Sequence, residues 1–168
     1  MTLTLRGQRV VLRAITETDL TLFAEMLREP SVARWWGDYS TDRLRRELVQ
    51  DPSVEAFAVE VDGAFVGIVD FCEETDPDYH FAALDITLGA SYHRQGLGSD
   101  ALRTLIAYLA GERRHHRLTV DPAAANENAI RFYESLGFEK VGIMRRYERL
   151  PDGSWRDGLL MDLIVESQ

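Results

Sequence analysis

The chain has 168 residues, a formal net charge of −9 at pH 7 and a single cysteine, Cys72. The length suits one domain, predicted over residues 1–168, and the acidic charge argues against a nucleic-acid partner. One cysteine excludes an internal disulfide, no apolar run approaches the roughly twenty residues of a membrane helix, and no cysteine and histidine cluster predicts a metal site. No signal-peptide core is found, so we expect a cytoplasmic protein.

The first half of the chain predicts strands, helices and one hairpin. The elements are a strand at 10–14, a helix from a capping segment at 16–19 to about residue 28, a helix at about 41–50, and strands at 56–61 and 64–71. Pro30 is expected to end the first helix, and Asp62-Gly63 closes the hairpin. An acidic loop at 73–78 follows, and it could flank a cleft for a polycation.

The second half alternates strands with helices. The elements are a strand ending at residue 88, a helix at about 99–110 stopped by Gly111, a strand at about 118–120, a helix at 126–136 capped by Gly137, and a hairpin of 140–149 and 155–164. Alternating elements with hairpins at both ends predict a mixed twisted sheet covered by helices.

A glycine-rich turn at 92–99 joins a predicted strand to a predicted helix. The first amides of a helix have no intrahelical acceptor, and the helix dipole adds partial positive charge, so this turn predicts a phosphate or pyrophosphate site formed by main chain. Gly96 and Gly98 are expected to let the backbone approach the ligand without a Cβ. The spacing matches neither a P-loop nor the Rossmann pattern.

A second motif places Asn126, Ala129, Tyr133, Gly137 and Phe138 at fixed spacing downstream. The two motifs, in this order, resemble those of the GNAT superfamily of acetyl-coenzyme A-dependent N-acetyltransferases, and the resemblance covers nearly the whole chain. It implies an α/β GNAT fold, with a mixed twisted central sheet flanked by helices. In that fold the strands at 85–88 and 118–120 splay apart, and acetyl-CoA enters the gap.

The resemblance also implies which residues bind the cofactor. The turn would cradle the pyrophosphate, Ile86 and Leu88 would offer backbone groups to the pantetheine and thioester, and Asn126 would open the helix of the second motif. The turn residues are His93, Arg94, Gln95, Gly96, Leu97, Gly98 and Ser99. The family usually has Arg or Gln where this chain has His93, which leaves the contribution of that side chain open.

Two residues are predicted to carry the chemistry. Tyr133 is implied by the family motif as the acid that protonates the departing thiolate, although its helical spacing also fits a core residue. Asp121 lies in an Asp-Pro-x-x-x-Asn segment that looks like that of aminoglycoside 6'-N-acetyltransferases, where the aspartate faces the substrate amine. It is expected to accept the amine proton directly or through water, and the alternative is a plain Asp-Pro turn.

The same resemblance implies substrate-binding roles for Trp36, Asp38 and Asp85. We therefore expect direct acetyl transfer to a primary amine of a small polycation, foremost an aminoglycoside at its 6'-amine, which would confer antibiotic resistance. One alternative is a ribosomal-protein-type N-terminal acetyltransferase, which the segment 145–157 resembles. A second is a non-catalytic acyl-CoA sensor. The sequence leaves open the particular amine, the acyl chain length, and whether the chain is a monomer or a homodimer.

Overall fold

The computed structural model describes residues 3–166. Its strands are β1 (Leu5–Arg6), β2 (Val11–Arg13), β3 (Val54–Val61), β4 (Ala64–Glu74), β5 (Phe81–Leu88), β6 (Arg117–Val120), β7 (Glu139–Arg149) and β8 (Trp155–Ile164). Its α-helices are α1 (Glu17–Met26), α2 (Pro30–Trp36), α3 (Thr41–Arg45), α4 (Leu97–Gly111) and α5 (Glu127–Ser135). The strands form one eight-stranded sheet in the order β1-β2-β3-β4-β5-β6-β8-β7, which confirms the predicted mixed sheet flanked by helices.

The helices form a layer on each face of the sheet. Helices α1, α2 and α3 pack Phe23, Val32 and Leu44 against Ala58 and Ile68 of the sheet. On the opposite face, α4 and α5 pack against a larger core that includes Leu102, Leu105, Ile130, Leu84 and Leu118. The sheet thus separates two apolar layers.

Strands β5 and β6 form the parallel pair of the sheet, and they separate soon after they meet. Their register joins Ala82 to Leu118 and Ala83 to Thr119, and within the described residues no further pairing between them follows. Every other neighbouring pair in the sheet is antiparallel. The remainder of β5, residues 84–88, therefore has an open edge toward β6, as the predicted splayed pair requires.

The start of α1 follows the prediction, but its end does not. The Thr16 hydroxyl accepts a hydrogen bond from the Asp19 amide, and the Asp19 carboxylate accepts one from the Thr16 amide at 2.7 Å, a reciprocal capping box. The prediction that Pro30 ends α1 is wrong, because α1 ends at Met26 and Pro30 begins α2. Proline suits a first helical position, where its missing N–H costs nothing.

The predicted acidic loop is partly strand, since Glu73 and Glu74 belong to β4. The Glu73 carboxylate pairs with Arg113 and lies 2.7 Å from Nε2 of the buried His115. Its charge is therefore held inside the protein, and it is not part of a cleft for a polycation. The short elements β1 and α2 were missed by the sequence analysis, because two or seven residues are too few to show a clear period.

Within residues 3–166, none of the helices combines the length and the apolar character that crossing a membrane requires. The same residues contain no group of three His, Cys, Asp or Glu side chains arranged to hold a metal ion.

Candidate active site

A cavity of about 400 Å³ lies where β5 and β6 part. It brings together eight of the residues predicted from the sequence: Trp36, Asp85, Ile86, Leu88, His93, Asp121, Asn126 and Tyr133. It also includes residues that the sequence analysis missed, among them Tyr39, Tyr147, Glu148 and Arg156. The predicted Asp38 is exposed and does not line the cavity.

The glycine turn at the end of β5 has the geometry of an anion cradle. Gly96 is left-handed, with φ of +77°, and a Cβ added there would meet nothing within 4 Å. Helix α4 begins at Leu97, so the amides of Leu97, Gly98 and Ser99 belong to its first turn and have no acceptor within the helix. These residues fit the pyrophosphate of coenzyme A.

Gly98 has a packing role in addition to the ligand approach predicted from the sequence. A Cβ at Gly98 would lie 3.3 Å from Cζ of Phe132 and 3.6 Å from Cδ1 of Leu88. These contacts come from α5 and β5, so Gly98 allows close packing of α4 against α5. At Gly96, by contrast, an added Cβ would meet no protein atom within 4 Å.

The side chains of the turn stabilise its shape. Nε2 of His93 lies 2.9 Å from the carbonyl oxygen of Leu88, and Nε2 of Gln95 donates to the carbonyl oxygen of Ser91 at 2.7 Å. Arg94 is exposed and left-handed, with φ of +58°. His93 thus contacts the strand end, where it ties the turn to β5.

Asn126 is the N-cap residue of α5, and Tyr133 lies on the same helix. The side-chain oxygen of Asn126 accepts from the amide of Ala129 at 3.2 Å, which caps α5. Tyr133 lies on α5, is 5% exposed and lines the cavity. Burial, with the charges of Asp85, Asp121 and Asp70, raises the pKa of Tyr133 well above its usual value. Its phenol therefore keeps its proton and can donate it.

Asp85 and Asp121 approach the cavity from the two separated strands. Asp85 accepts a hydrogen bond from the Ile86 amide at 2.8 Å, and burial raises its pKa to about 7 against the effect of that bond, with the charges of Asp121 and Glu148 adding to the rise. Asp121 follows the end of β6, and burial also raises its pKa. A carboxyl group with a pKa near neutrality can both accept and release a proton at physiological pH.

Asp70 is a third carboxylate, and the sequence analysis missed it. It lies directly opposite Asp85 in the antiparallel register of β4 and β5. Burial, with the charges of Asp85 and Asp121, raises its pKa well above the ordinary value. The signal available in the sequence was one acidic residue within the apolar run of β4, between the buried Val69 and Phe71.

The hairpin of β7 and β8 contributes the remaining polar groups. The Tyr147 hydroxyl donates to Oδ2 of Asp121 at 2.5 Å, and this bond and burial raise the pKa of Tyr147 to about 12. Arg156 pairs with Glu148 at 2.6 Å and donates to the carbonyl oxygen of Trp35 at 2.6 Å. Arg156 therefore links β8 to α2 across the mouth of the cavity.

Aromatic side chains form the wall of the cavity next to α2. The ring of Trp36 packs edge-on against Phe23, with centroids 6.0 Å apart, and against Tyr39, with centroids 5.4 Å apart. Trp36 is thus partly a core residue and partly a lining residue. Aromatic rings beside carboxylates suit cationic, sugar-like ligands.

A gap between splayed strands, an anion cradle and a protonated buried phenol define the site of an acetyl-CoA-dependent N-acetyltransferase. The family model described as "Acetyltransferase (GNAT) domain" matches residues 9–139, and the chain belongs to this family. It is accordingly an acetyl-transferring enzyme with acetyl-CoA as its cofactor.

Its relatives have different substrates in their names. The chain is 30% identical over 165 residues to an aminoglycoside N(6')-acetyltransferase type 1 of Klebsiella pneumoniae, covering 86% of this chain and 79% of that enzyme. Over 98 residues it is 30% identical to a ribosomal protein uS5-alanine N-acetyltransferase of Escherichia coli, covering 58% of this chain and 50% of that enzyme. A solved ribosomal L7/L12 alpha-N-protein acetyltransferase in complex with coenzyme A shares the fold, with a TM-score of 0.82, 17% identity and coverage of 99% and 100% of the two chains.

Proposed function

We propose that this enzyme transfers the acetyl group directly to a primary amine of a small polycation, with the 6'-amine of an aminoglycoside as the specific candidate. The Klebsiella relative supports the aminoglycoside. A spermidine N(1)-acetyltransferase of Escherichia coli, 26% identical over 158 residues and matched over 90% of this chain and 84% of that enzyme, supports the wider class of polyamines.

The observation that carries this proposal is a group of carboxylates without a cationic partner. Elsewhere, Asp19 pairs with Arg13, Glu73 with Arg113, and Asp162 with Arg117. Within residues 3–166, no such pair is formed by Asp85 and Asp121, which line the cavity, or by Asp70, which faces Asp85 across the β4–β5 ladder. Carboxylates without a cationic partner in a partly dry site destabilise the folded protein, so we infer that ammonium groups of the substrate pair with them.

The gain from each such contact depends on the local dielectric. An ammonium group about 4 Å from one carboxylate gains about 1 kcal/mol in bulk water and about 4 kcal/mol at an effective dielectric constant of 20. Several carboxylates around one cavity would therefore select a substrate with several ammonium groups over one with a single charge.

The residues divide the chemistry between them. When bound, acetyl-CoA supplies an activated thioester. Asp121, fixed by Tyr147, binds the ammonium group of the substrate. The amine must lose a proton before it attacks, and Asp85, with a pKa of about 7, is a stronger proton acceptor than an ordinary aspartate. Tyr133 then donates its proton to the leaving thiolate. The sequence had suggested Asp121 as the proton acceptor, and we propose Asp85 in that role.

A thiol-release assay over a substrate panel tests the proposal. The critical pair is two aminoglycosides that differ only in carrying an amine or a hydroxyl group at the 6' position. Turnover with the amine and none with the hydroxyl compound is the expected result, and spermidine tests the wider class. Added salt should raise KM for these substrates, because it screens the attraction of the cavity for cations.

A peptide N-terminus is the second candidate, supported by the Escherichia coli uS5-alanine relative. The segment 145–157 that resembles this branch supplies Tyr147, Glu148 and Arg156 to the cavity. Such a substrate brings one ammonium group to the reacting end, where Asp85 and Asp121 line the cavity without a cationic partner. Turnover of an alanine-terminated peptide, with none of any polycation, would replace our proposal with this one.

A further inference from the structure

A second cavity, of about 540 Å³, lies on the other side of the glycine turn. Its walls are the segment between β1 and β2 and the first turns of α4. The lining includes Arg6, Gly7, Gly96, Ser99 and Arg103. Two of these residues, Gly96 and Ser99, belong to the cradle that fits the pyrophosphate. The cavity therefore borders the predicted pyrophosphate cradle.

The walls of this cavity are held together by Asp100. Its carboxylate accepts hydrogen bonds from the amides of Gln8 at 2.9 Å, Arg9 at 2.7 Å and Val10 at 3.0 Å. Burial opposes ionisation, but these amide bonds prevail and lower the pKa of Asp100. The segment also packs closely, since a Cβ at Gly7 would lie 2.6 Å from Oγ1 of Thr104. The acidic group of this cavity is thus satisfied by main-chain donors.

The basic groups of the cavity have no such partners. Arg6 and Arg103 are exposed on its wall, and neither guanidinium forms an ion pair with another residue in the range 3–166. Two arginines without an ion-pair partner therefore line one cavity in a protein whose net charge is −9. Guanidinium groups bind phosphate with charge-assisted and often bidentate hydrogen bonds. The cavity consequently has the character of a phosphate site.

We propose that Arg6 and Arg103 bind the 3'-phosphate on the ribose of coenzyme A. That phosphate belongs to the same end of the cofactor as the pyrophosphate, and the cavity shares Gly96 and Ser99 with the pyrophosphate cradle. The two arginines would make the enzyme selective for coenzyme A over its dephosphorylated form. This inference rests on the use of acetyl-CoA and is independent of which amine is acetylated.

Calorimetry with coenzyme A and dephospho-coenzyme A tests the inference, because the two compounds differ only in this phosphate. We expect the intact protein to bind coenzyme A at least about tenfold more tightly than the dephosphorylated compound, the scale of a hydrogen bond to a charged group. Arg103→Gln and Arg6→Gln should each reduce that ratio severalfold and leave the affinity for dephospho-coenzyme A unchanged.

Arg46→Gln is the matched control, since Arg46 is exposed beside α3 and its loss changes the net charge equally. It should leave the ratio unchanged. The inference is overturned if the intact protein binds both compounds equally, or if the ratio survives both arginine substitutions. Failure to bind either compound would overturn it as well, together with the cofactor assignment.

Discussion

Asp70 on β4 and Asp85 on β5 face each other directly across the antiparallel ladder, just after β5 has parted from β6. Like charges in directly opposed positions destabilise a sheet. The pKa of each carboxyl is raised, chiefly by burial. The pair is thus an arrangement that costs the folded state stability when both groups are ionised.

The first prediction concerns stability against pH. The pKa of Asp85 is raised from about 3.8 in the unfolded chain to about 7 in the folded protein. A carboxyl group with a raised pKa favours the folded state below the unfolded pKa, and this contribution to stability is lost as the pH rises through the folded pKa. Asp70→Asn removes one member of the pair, so we expect it to raise Tm by about 2–4 °C at pH 8, the scale of about 1 kcal/mol in a chain of this size. The rise should be smaller at pH 5.

Asp78→Asn is the control for this measurement, because Asp78 is an exposed carboxylate outside the cavity. Its Tm should match that of the intact protein at both pH values. An equal Tm change for Asp70→Asn at pH 5 and pH 8 would show that the cost does not come from ionisation.

The second prediction assigns the proton acceptor. If Asp85 takes the amine proton, kcat/KM should fall as pH decreases through about 7, where Asp85 becomes protonated. Asp85→Asn should abolish this limb of the profile and reduce turnover by about 10²–10⁴-fold. Asp121→Asn should retain the limb and act mainly on KM. The opposite assignment, with the limb lost only in Asp121→Asn, would return the role of proton acceptor to Asp121.

The third prediction concerns the acid. Tyr133→Phe keeps the ring packing and removes the proton donor, so kcat should fall while the affinity for coenzyme A stays the same. We expect a loss of about ten- to hundredfold, because a thiolate with a conjugate-acid pKa of roughly 8.5 can leave without full protonation. Tyr108→Phe is the control, since Tyr108 is also a buried tyrosine but lies outside the cavity. Equal kcat values in all three proteins would leave Tyr133 as a core residue.

The fourth prediction separates backbone strain from cofactor binding. Gly96 and Gly63 are both left-handed, with φ of +77° and +81°, and an added Cβ at either would meet nothing within 4 Å. Alanine at each should therefore cost a similar loss of stability, about 1–2 kcal/mol. Gly96→Ala should also weaken coenzyme A binding at least about tenfold, because the cradle changes shape. Gly63→Ala lies in the β3–β4 hairpin and should bind coenzyme A normally.

The sequence predicted those parts of the site that depend on local geometry. The cradle at Gly96 needs only a strand, a turn and a helix in succession, and Asn126 and Tyr133 share one short helix. These spacings are visible along the chain. They did not show that Gly98 also packs close to Phe132, a residue far away in sequence.

The missed residues depend on the register of strands distant in sequence. Asp70 faces Asp85 because β4 pairs with β5 in that register, and Tyr147 lies within the register shift between Met144 and Glu148 of β7. The residue pattern within a strand does not predict which other strand it pairs with, or in which register. Likewise, the sequence placed Glu73 in an acidic loop, and only the fold shows that its carboxylate contacts Arg113 and His115.

The last prediction tests whether Tyr147 controls Asp121. The Tyr147 hydroxyl donates to Asp121 at 2.5 Å, and this bond lowers the pKa of Asp121 against the larger opposing effect of burial. Tyr147→Phe removes the bond, so the pKa of Asp121 should rise further and its carboxylate should become protonated at a higher pH than in the intact protein. We expect KM for a polycation to increase by about tenfold at pH 6.5, the scale of one hydrogen bond to a charged group.

The increase should shrink as the pH rises and more of Asp121 is ionised in both proteins, while the Tyr147 proton is retained up to pH 9 because its pKa is about 12. Tyr79→Phe, at a tyrosine that is 73% exposed, should leave KM unchanged at every pH. A constant KM ratio between Tyr147→Phe and the intact protein from pH 6.5 to 9 would mean that Tyr147 only shapes the cavity. A ratio that falls with rising pH requires a titrating partner, and Asp121 is the carboxylate that Tyr147 contacts.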